Sequence, residues 1–233
     1  MPFYTEQVER THDVDYDLGL RSYLLQVFNY MTVALGVSGL IAYGVGTSPA
    51  ALAAIWGSPI KWLVMLAPIG MALGMGFLMD RMSAHTARIC LVVFAALMGL
   101  SLSSIFAVFT MASIAQVFFI SATTFGATAL WGYTTKRDLS NMGTFLMMGL
   151  IGLIIAGLVN MFLQSSALQM ACSAIGVLIF VGFTAYDMQQ IKDGYYTAHG
   201  EELEKTGVMG ALNLYLDFVN IFVSLLQLMG DRK

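Results

Sequence analysis

Charge is what this sequence has least of. Of 233 residues, 11 are Lys or Arg and 14 are Asp or Glu, which makes 11% charged, against roughly 25% in an ordinary globular domain. The deficit is concentrated, since residues 22–60, 62–79, 89–135 and 139–186 contain no Asp, Glu, Lys or Arg. One soluble core cannot use so many uninterrupted apolar stretches. A bilayer can, because each transmembrane helix needs roughly 20 mainly apolar residues. The mean hydropathy of +0.76 points the same way. A soluble domain is excluded. The net charge of −3 offers no basic face, which argues against nucleic acid as a partner. Cys90 and Cys172 lie in apolar stretches, and His12, His85 and His199 are scattered. With no metal-ligand spacing, the cysteines read as small packing residues. No phosphate-cradling loop or nucleophile–base pair occurs, so neither an enzyme nor a bound cofactor is expected.

What is present is a series of helical spans, because a membrane segment must satisfy its own backbone hydrogen bonds. Residues 1–21 read as a retained polar tail: Glu6, Glu9, Asp13, Asp15 and Asp17 are the reverse of the basic start of a signal peptide. The first span runs over about 22–46 and ends at the turn signal Gly44–Pro49. Residues 50–60 are too short to cross and read as an interfacial piece, with Trp56 and Trp62 near headgroup level. The second span covers about 61–79. The 47-residue block 89–135 must hold two spans, about 88–110 and 114–134, with a turn near 110–116. The 48-residue block 139–186 holds two more, about 141–163 and 168–190, with a turn at 160–169. A seventh spans 208–229, and residues 231–233 are a short tail. The fold class is therefore all-α, a polytopic membrane protein of one domain, 22–230. With the N-terminus inside, eight basic residues fall inside (Arg10, Arg21, Arg81, Arg88, Lys136, Arg137, Lys192, Lys205) and three outside (Lys61, Arg232, Lys233). The positive-inside rule then predicts a cytoplasmic N-terminus and an outside C-terminus. A bacterial inner membrane is the simplest location.

Few charges remain near the apolar interior. Asp217 is the one charge between Thr206 and Gly230, and an aspartate at depth costs on the order of 2.5–3.5 kcal/mol, so it is expected to face protein or water. Asn213, Asp217, Asn220, Ser224 and Gln227 recur at helical spacing and form one polar stripe. That stripe is expected to line a hydrated path, although for Asn213 and Ser224 alone hydrogen-bonding glue between helices is the simpler reading. Asp187 closes the longest uncharged block, at the inner end of span six, and Arg81 ends span two on the same side. Topological parity thus brings Asp187, Asp217 and a cation to one half of the membrane. Two carboxylates held close in a low dielectric cannot both ionise cheaply and titrate as a unit. The expectation is a proton-sensitive latch, closed by Arg81, with weak Ca²⁺ binding at Asp187 and Asp217, since oxygen ligands suit that ion. Gly70 and Gly74 have the GxxxG spacing, which predicts close packing inside the bundle.

Two segments carry a resemblance. Gly182-Phe-Thr-Ala-Tyr-Asp187-Met-Gln-Gln-Ile191 and Leu214-Tyr-Leu-Asp217-Phe-Val-Asn-Ile-Phe222 resemble the helix-six and helix-seven motifs of the Bax inhibitor-1 (transmembrane Bax inhibitor motif) family. The resemblance implies seven helices with the last wrapped by the other six. It also implies a pH-sensitive Ca²⁺ leak controlled by a paired-aspartate sensor, here Asp187 and Asp217, with Arg81 near the place of a locking arginine. Two features depart from the family pattern: Asp80-Arg81 replaces a basic run, and residues 62–79 lack the glutamate that some members carry. Bacterial members are also linked to a membrane-anchored ATP-dependent protease. A non-conducting modulator of such a protease or of a stress pathway is therefore the alternative reading. An intramembrane aspartyl protease fits less well, because its second aspartate sits in Gly-x-Gly-Asp and here the residues are Leu214-Tyr-Leu-Asp217. A rhodopsin-like pigment needs a lysine in the last helix, and residues 206–230 have none.

Overall fold

A computed structural model describes residues 3–233, with side chains from Leu18 onward. The side chains of most of the acidic tail therefore lie outside the described residues. The chain is built of α1 (Phe3–Gly46), α2 (Pro49–Trp56), α3 (Ile60–Leu78), α4 (Ala84–Leu102), α5 (Ile105–Val108), α6 (Met111–Thr134), α7 (Ser140–Leu163), α8 (Ser166–Thr197) and α9 (Glu201–Met229). Seven stretches are long and apolar enough to cross a membrane: Leu18–Gly46, Ile60–Arg81, Ala84–Val108, Met111–Thr134, Ser140–Leu163, Ser166–Thr197 and Glu201–Met229. The protein is a polytopic all-α membrane protein.

Helix ends follow local chemistry. Ser48 accepts from the Ala51 N–H and Pro49 opens α2, because proline's missing N–H is no loss in a first turn. The Trp56 indole donates to Ser103 Oγ at 3.1 Å and pins α2 to the α4–α5 joint. Thr110 caps α6 through the Ser113 N–H at 3.3 Å, so α6 starts at Met111 and the turn falls just before the expected 110–116. Gln164 ends α7 in the left-handed region at φ 49°. Before α7, the hydroxyl and N–H of Ser140 hold the Asp138 carboxyl below the usual carboxylate range. Gln189 fastens the same loop to α8, accepting from the Leu139 N–H (2.8 Å) and donating to the Arg137 carbonyl (2.9 Å). The helix of the first span departs most from expectation, since α1 begins at Phe3 and not near 22. Smaller differences occur at α8, which continues past 190 to Thr197, and at α9, which begins at Glu201, ahead of 208. Their polar turns remain helical because a helix outside the apolar layer needs only its own hydrogen bonds.

α9 lies at the centre. Of its apolar window 61% is buried, against 6% for α7 and 22% for the α3 span. It packs chiefly on α8, α1, α6 and α4, whereas α7 packs on α8 and α3 on α4. Buried Val208, Ala211, Leu212, Leu214, Tyr215, Phe218, Ile221 and Leu226 from α9 meet Val27, Met31, Phe94 and Phe125 in one core. A polar clasp crosses it. The Ser38 hydroxyl lies 2.7 Å from the Ala95 carbonyl, 2.9 Å from the Ala34 carbonyl and 2.6 Å from Tyr215 Oη. Ser38 has one proton and two carbonyls to serve, so Tyr215 donates to Ser38, and α1, α4 and α9 are joined at one buried point. Residues 231–233 add a strap across the start of α6. Arg232 pairs antiparallel with Phe109, the Thr110 N–H donates to the Asp231 carbonyl at 3.0 Å, and Lys233 Nζ donates to the Phe106 carbonyl at 2.6 Å.

The close helix approaches are not where the GxxxG spacing predicted. A Cβ at Gly70 or Gly74 would meet nothing within 4 Å, because α3 is peripheral. A Cβ at Gly132 would lie 2.5 Å from the Ala185 carbonyl oxygen, and one at Gly99 2.7 Å from that of Ser38. Backbone packs on backbone at these two places. Gly132→Ala should therefore destabilise the protein by about 1–3 kcal/mol through overpacking, whereas Gly70→Ala should be neutral or stabilising by up to about 1 kcal/mol. Unfolding in detergent micelles checks the pair, and equal effects of the two substitutions would contradict the packing described.

Candidate functional site: a carboxylate pair between two cavities

Helical spacing decides what α9 turns toward its neighbours. Tyr215 and Phe218 face α4 and α6: Tyr215 stacks edge-on against Phe94 at 5.5 Å, and Phe218 meets Phe125 at 5.8 Å. The stripe containing Asn213, Asp217 and Asn220 lies on another face and borders α8 and the gap before α7. There Asp217 comes within side-chain hydrogen-bonding reach of Asp187. Asp217 is 4% exposed, and its Oδ2 is buried with no hydrogen-bond partner among the described residues. Asp187 is part-buried, and α8 runs on from it to Thr197, so it sits within the helix and not at its end.

Two cavities lie beside the pair. One, of about 410 Å³, is lined by Asp187, Gln190, Asp193, Thr197, Thr206 and Asn213 along the facing ends of α8 and α9. The other, of about 400 Å³, is bounded by Met147 and Leu150 of α7, by Phe180, Phe183, Tyr186 and Asp187 of α8, and by Asn213, Leu216, Asp217 and Asn220 of α9. Asp187 and Asn213 line both, so the two cavities adjoin as one groove at these residues, with Asp217 on the second. Among the described residues, no Lys, Arg or His lines either cavity.

The structure divides the expected stripe. Asn213, Asp217 and Asn220 reach the groove, and Asn220 also donates to its own helix at the Leu216 carbonyl (2.8 Å). Ser224 and Gln227 turn to α8 instead. Gln227 accepts from Ser173 at 2.8 Å, and Ser224 stands against Gly176. Those two residues hold helices together. Arg81 is exposed in the short 3₁₀ turn Met79–Arg81, away from both cavities, with no ion pair among the described residues.

A different basic residue reaches α9, one that in the sequence counts only toward orientation. Arg88 of α4 pairs with Glu204 at 2.9 Å, and Glu201 Oε1 accepts from the Ala84 N–H at 3.0 Å. The start of α9 thereby caps the start of α4, where unsatisfied N–H groups favour a negative partner. Its only sequence signal is the acidic first turn Glu201, Glu202, Glu204. As for metals, no group of three or more His, Cys, Asp or Glu is placed to hold one among the described residues. Two carboxyls and two amides can exchange a proton or coordinate a cation in passing.

Comparison with known proteins agrees with the motifs. The family model described as inhibitor of apoptosis-promoting Bax1 matches residues 20–233. The chain is 44% identical over 234 residues to an uncharacterized protein of Rickettsia prowazekii, covering 99% of this chain and 98% of that one. It is 41% identical over 219 residues to the inner membrane protein YbhL of Escherichia coli, covering 92% and 94%. An uncharacterized membrane protein of Streptococcus pyogenes is 30% identical over 220 residues, covering 92% and 94%.

These placements separate two residues in a simple experiment. Arg81→Ala should change stability by no more than about 0.5 kcal/mol, as for an exposed side chain. Glu201→Ala should cost about 1 kcal/mol through the lost cap on α4. Denaturant unfolding of the two variants checks this, and a larger loss at Arg81 than at Glu201 would contradict the assignment.

Proposed function

The chain belongs to the Bax inhibitor-1 family, and from that premise we propose that it is a pH-sensitive cation leak of the bacterial inner membrane, carrying Ca²⁺ and controlled by Asp187 and Asp217. The observation that carries the reading is the meeting of these two carboxyls beside one cavity, with Asp187 also bordering the next. Two carboxylates confined in a low dielectric share protons as a unit. With one proton between them they hold α8 and α9 together. Removing it leaves two like charges that repel, and a divalent cation is then the natural counter-ion. Only weak, transient binding is expected from so few oxygen ligands, as suits a path rather than a store. The groups facing the pair from neighbouring elements are uncharged along the cavities, apart from Asp193 further along α8. Relief of repulsion therefore has no nearby basic residue to share it. A latching role for Arg81 requires a second conformation in which the 3₁₀ turn moves inward.

Ca²⁺ entry into liposomes containing the purified protein, followed with a trapped indicator from about pH 5 to pH 8, tests the proposal. Flux should exceed that of empty liposomes and change about tenfold across the range, the effect of one proton-linked population shift of about 1.4 kcal/mol. Asp187→Asn and Asp217→Asn should each flatten the profile. Folded protein that gives no flux above empty liposomes would overturn the channel reading.

A further inference from the structure

The groove has a feature that a path for hydrated ions does not use. On the α7 side its wall is apolar: Met147, Leu150, Phe180, Phe183 and Leu216. Phe180 and Phe183 lie 6.1 Å apart and tilted to each other. Its lining also holds Asp187 and Asp217, and Asp217 Oδ2 is buried with no hydrogen-bond partner among the described residues. A buried acceptor left without a donor is costly, and a donor brought to this carboxyl group would relieve that cost.

We propose that this cavity is a binding site for a lipophilic primary ammonium, with its N–H₃⁺ on the Asp217 and Asp187 carboxyls and its alkyl chain along α7 and α8. Three properties select that chemistry. The first is charge: the lining carries two carboxyls and, among the described residues, no basic side chain. A carboxyl pair sharing one proton bears a single negative charge, matched by a single ammonium. The second is the wall. Aliphatic and aromatic surface is complementary to an alkyl chain, and ring faces attract a cation at close range, whereas a hydrated dication gains nothing from such contacts. The size, about 400 Å³, falls in the range of small-molecule sites. The third is access. Met147 on the cavity rim is 50% exposed, and α7 is the least buried of the spans. An amphiphile can therefore enter sideways from the bilayer, leaving its chain in the lipid layer. The site shares Asp217 with the proposed leak but stands without it, since a chain that conducts nothing still presents the carboxyl pair and the apolar wall.

The ammonium could belong to a free alkylamine or to the headgroup of an aminophospholipid, and one experiment separates these sources. The full-length protein in phosphatidylcholine nanodiscs is photolabelled with a diazirine analogue of dodecylamine, and the labelled residues are mapped by mass spectrometry. Label should concentrate on Met147, Leu150, Phe180 or Leu216. Unlabelled dodecylamine should compete and dodecanol should not. Asp217→Asn should weaken labelling about tenfold or more, as loss of a charge-assisted bond implies. Leu150→Trp, which fills the cavity from the opposite wall and leaves both aspartates in place, should block it equally. Competition by phosphatidylethanolamine added to the nanodisc identifies the headgroup as a source; labelling that it leaves unchanged identifies the free amine. Equal competition by dodecanol, labelling indifferent to both variants, or label spread over the lipid-facing Phe145, Met148 and Ile154 would overturn the proposal. Each readout is independent of ion flux, so a failure here is distinct from a failure of the leak.

Discussion

A single carboxylate in the last span must be kept out of lipid, and the arrangement of the bundle follows from that constraint. Asp217 at a lipid-facing position would cost several kcal/mol. Sheltering it requires that α9 be surrounded, and α9 is the helix with most of its apolar window buried. The other spans remain largely lipid-facing, and that is tolerable because their outer surfaces are Leu, Ile, Met and Phe. Once α9 is central, its polar atoms need partners. Tyr215 finds Ser38 and the α1–α4 backbone, while Ser224 and Gln227 find α8. Asp217 is left with Oδ2 buried and without a hydrogen-bond partner among the described residues. The incomplete satisfaction of one buried group is therefore where the proposed chemistry with protons and cations is placed.

The ends of α9 balance that deficit. At one end Glu201 and Glu204 tie it to the first turn of α4, and at the other Asp231 to Lys233 tie the following segment to the α5–α6 joint. Both attachments lie away from the carboxyl pair, so the middle of α9 is fixed on its α1, α4 and α6 faces and open toward α7. The asymmetry gives the groove a rigid side and a lipid side.

Much of this was legible in the sequence because a bilayer reads composition. Four charge-free blocks and their lengths were enough for six spans, the apolar stretch around Asp217 added the seventh, and the spacing of Asn213, Asp217 and Asn220 was enough for one polar face. The motif around Asp187 and Asp217 pointed to the family. What escaped was set by partners distant in sequence. Ser38 is one serine in an apolar helix, indistinguishable from a packing residue until Tyr215 and Ala95 are placed beside it. Gly132 and Gly99 carry no motif, yet they are the points of backbone contact, while the conspicuous Gly70–Gly74 pair faces open space. Arg81 lay near in topology because parity fixes the side of the membrane, but parity does not fix the distance. The division of the polar stripe depended on where α8 crosses α9, which periodicity within α9 alone does not contain.

The central claim is that Asp187 and Asp217 act as one unit, and a double-mutant cycle on thermal unfolding tests it most directly. Asp187→Asn, Asp217→Asn and the double variant are compared with the parent protein at one pH. Coupled groups should give a non-additive result, with an interaction energy of about 0.5–3 kcal/mol. Additivity to within about 0.3–0.5 kcal/mol would mean that the two carboxyls do not sense each other, and the account would fail at its foundation.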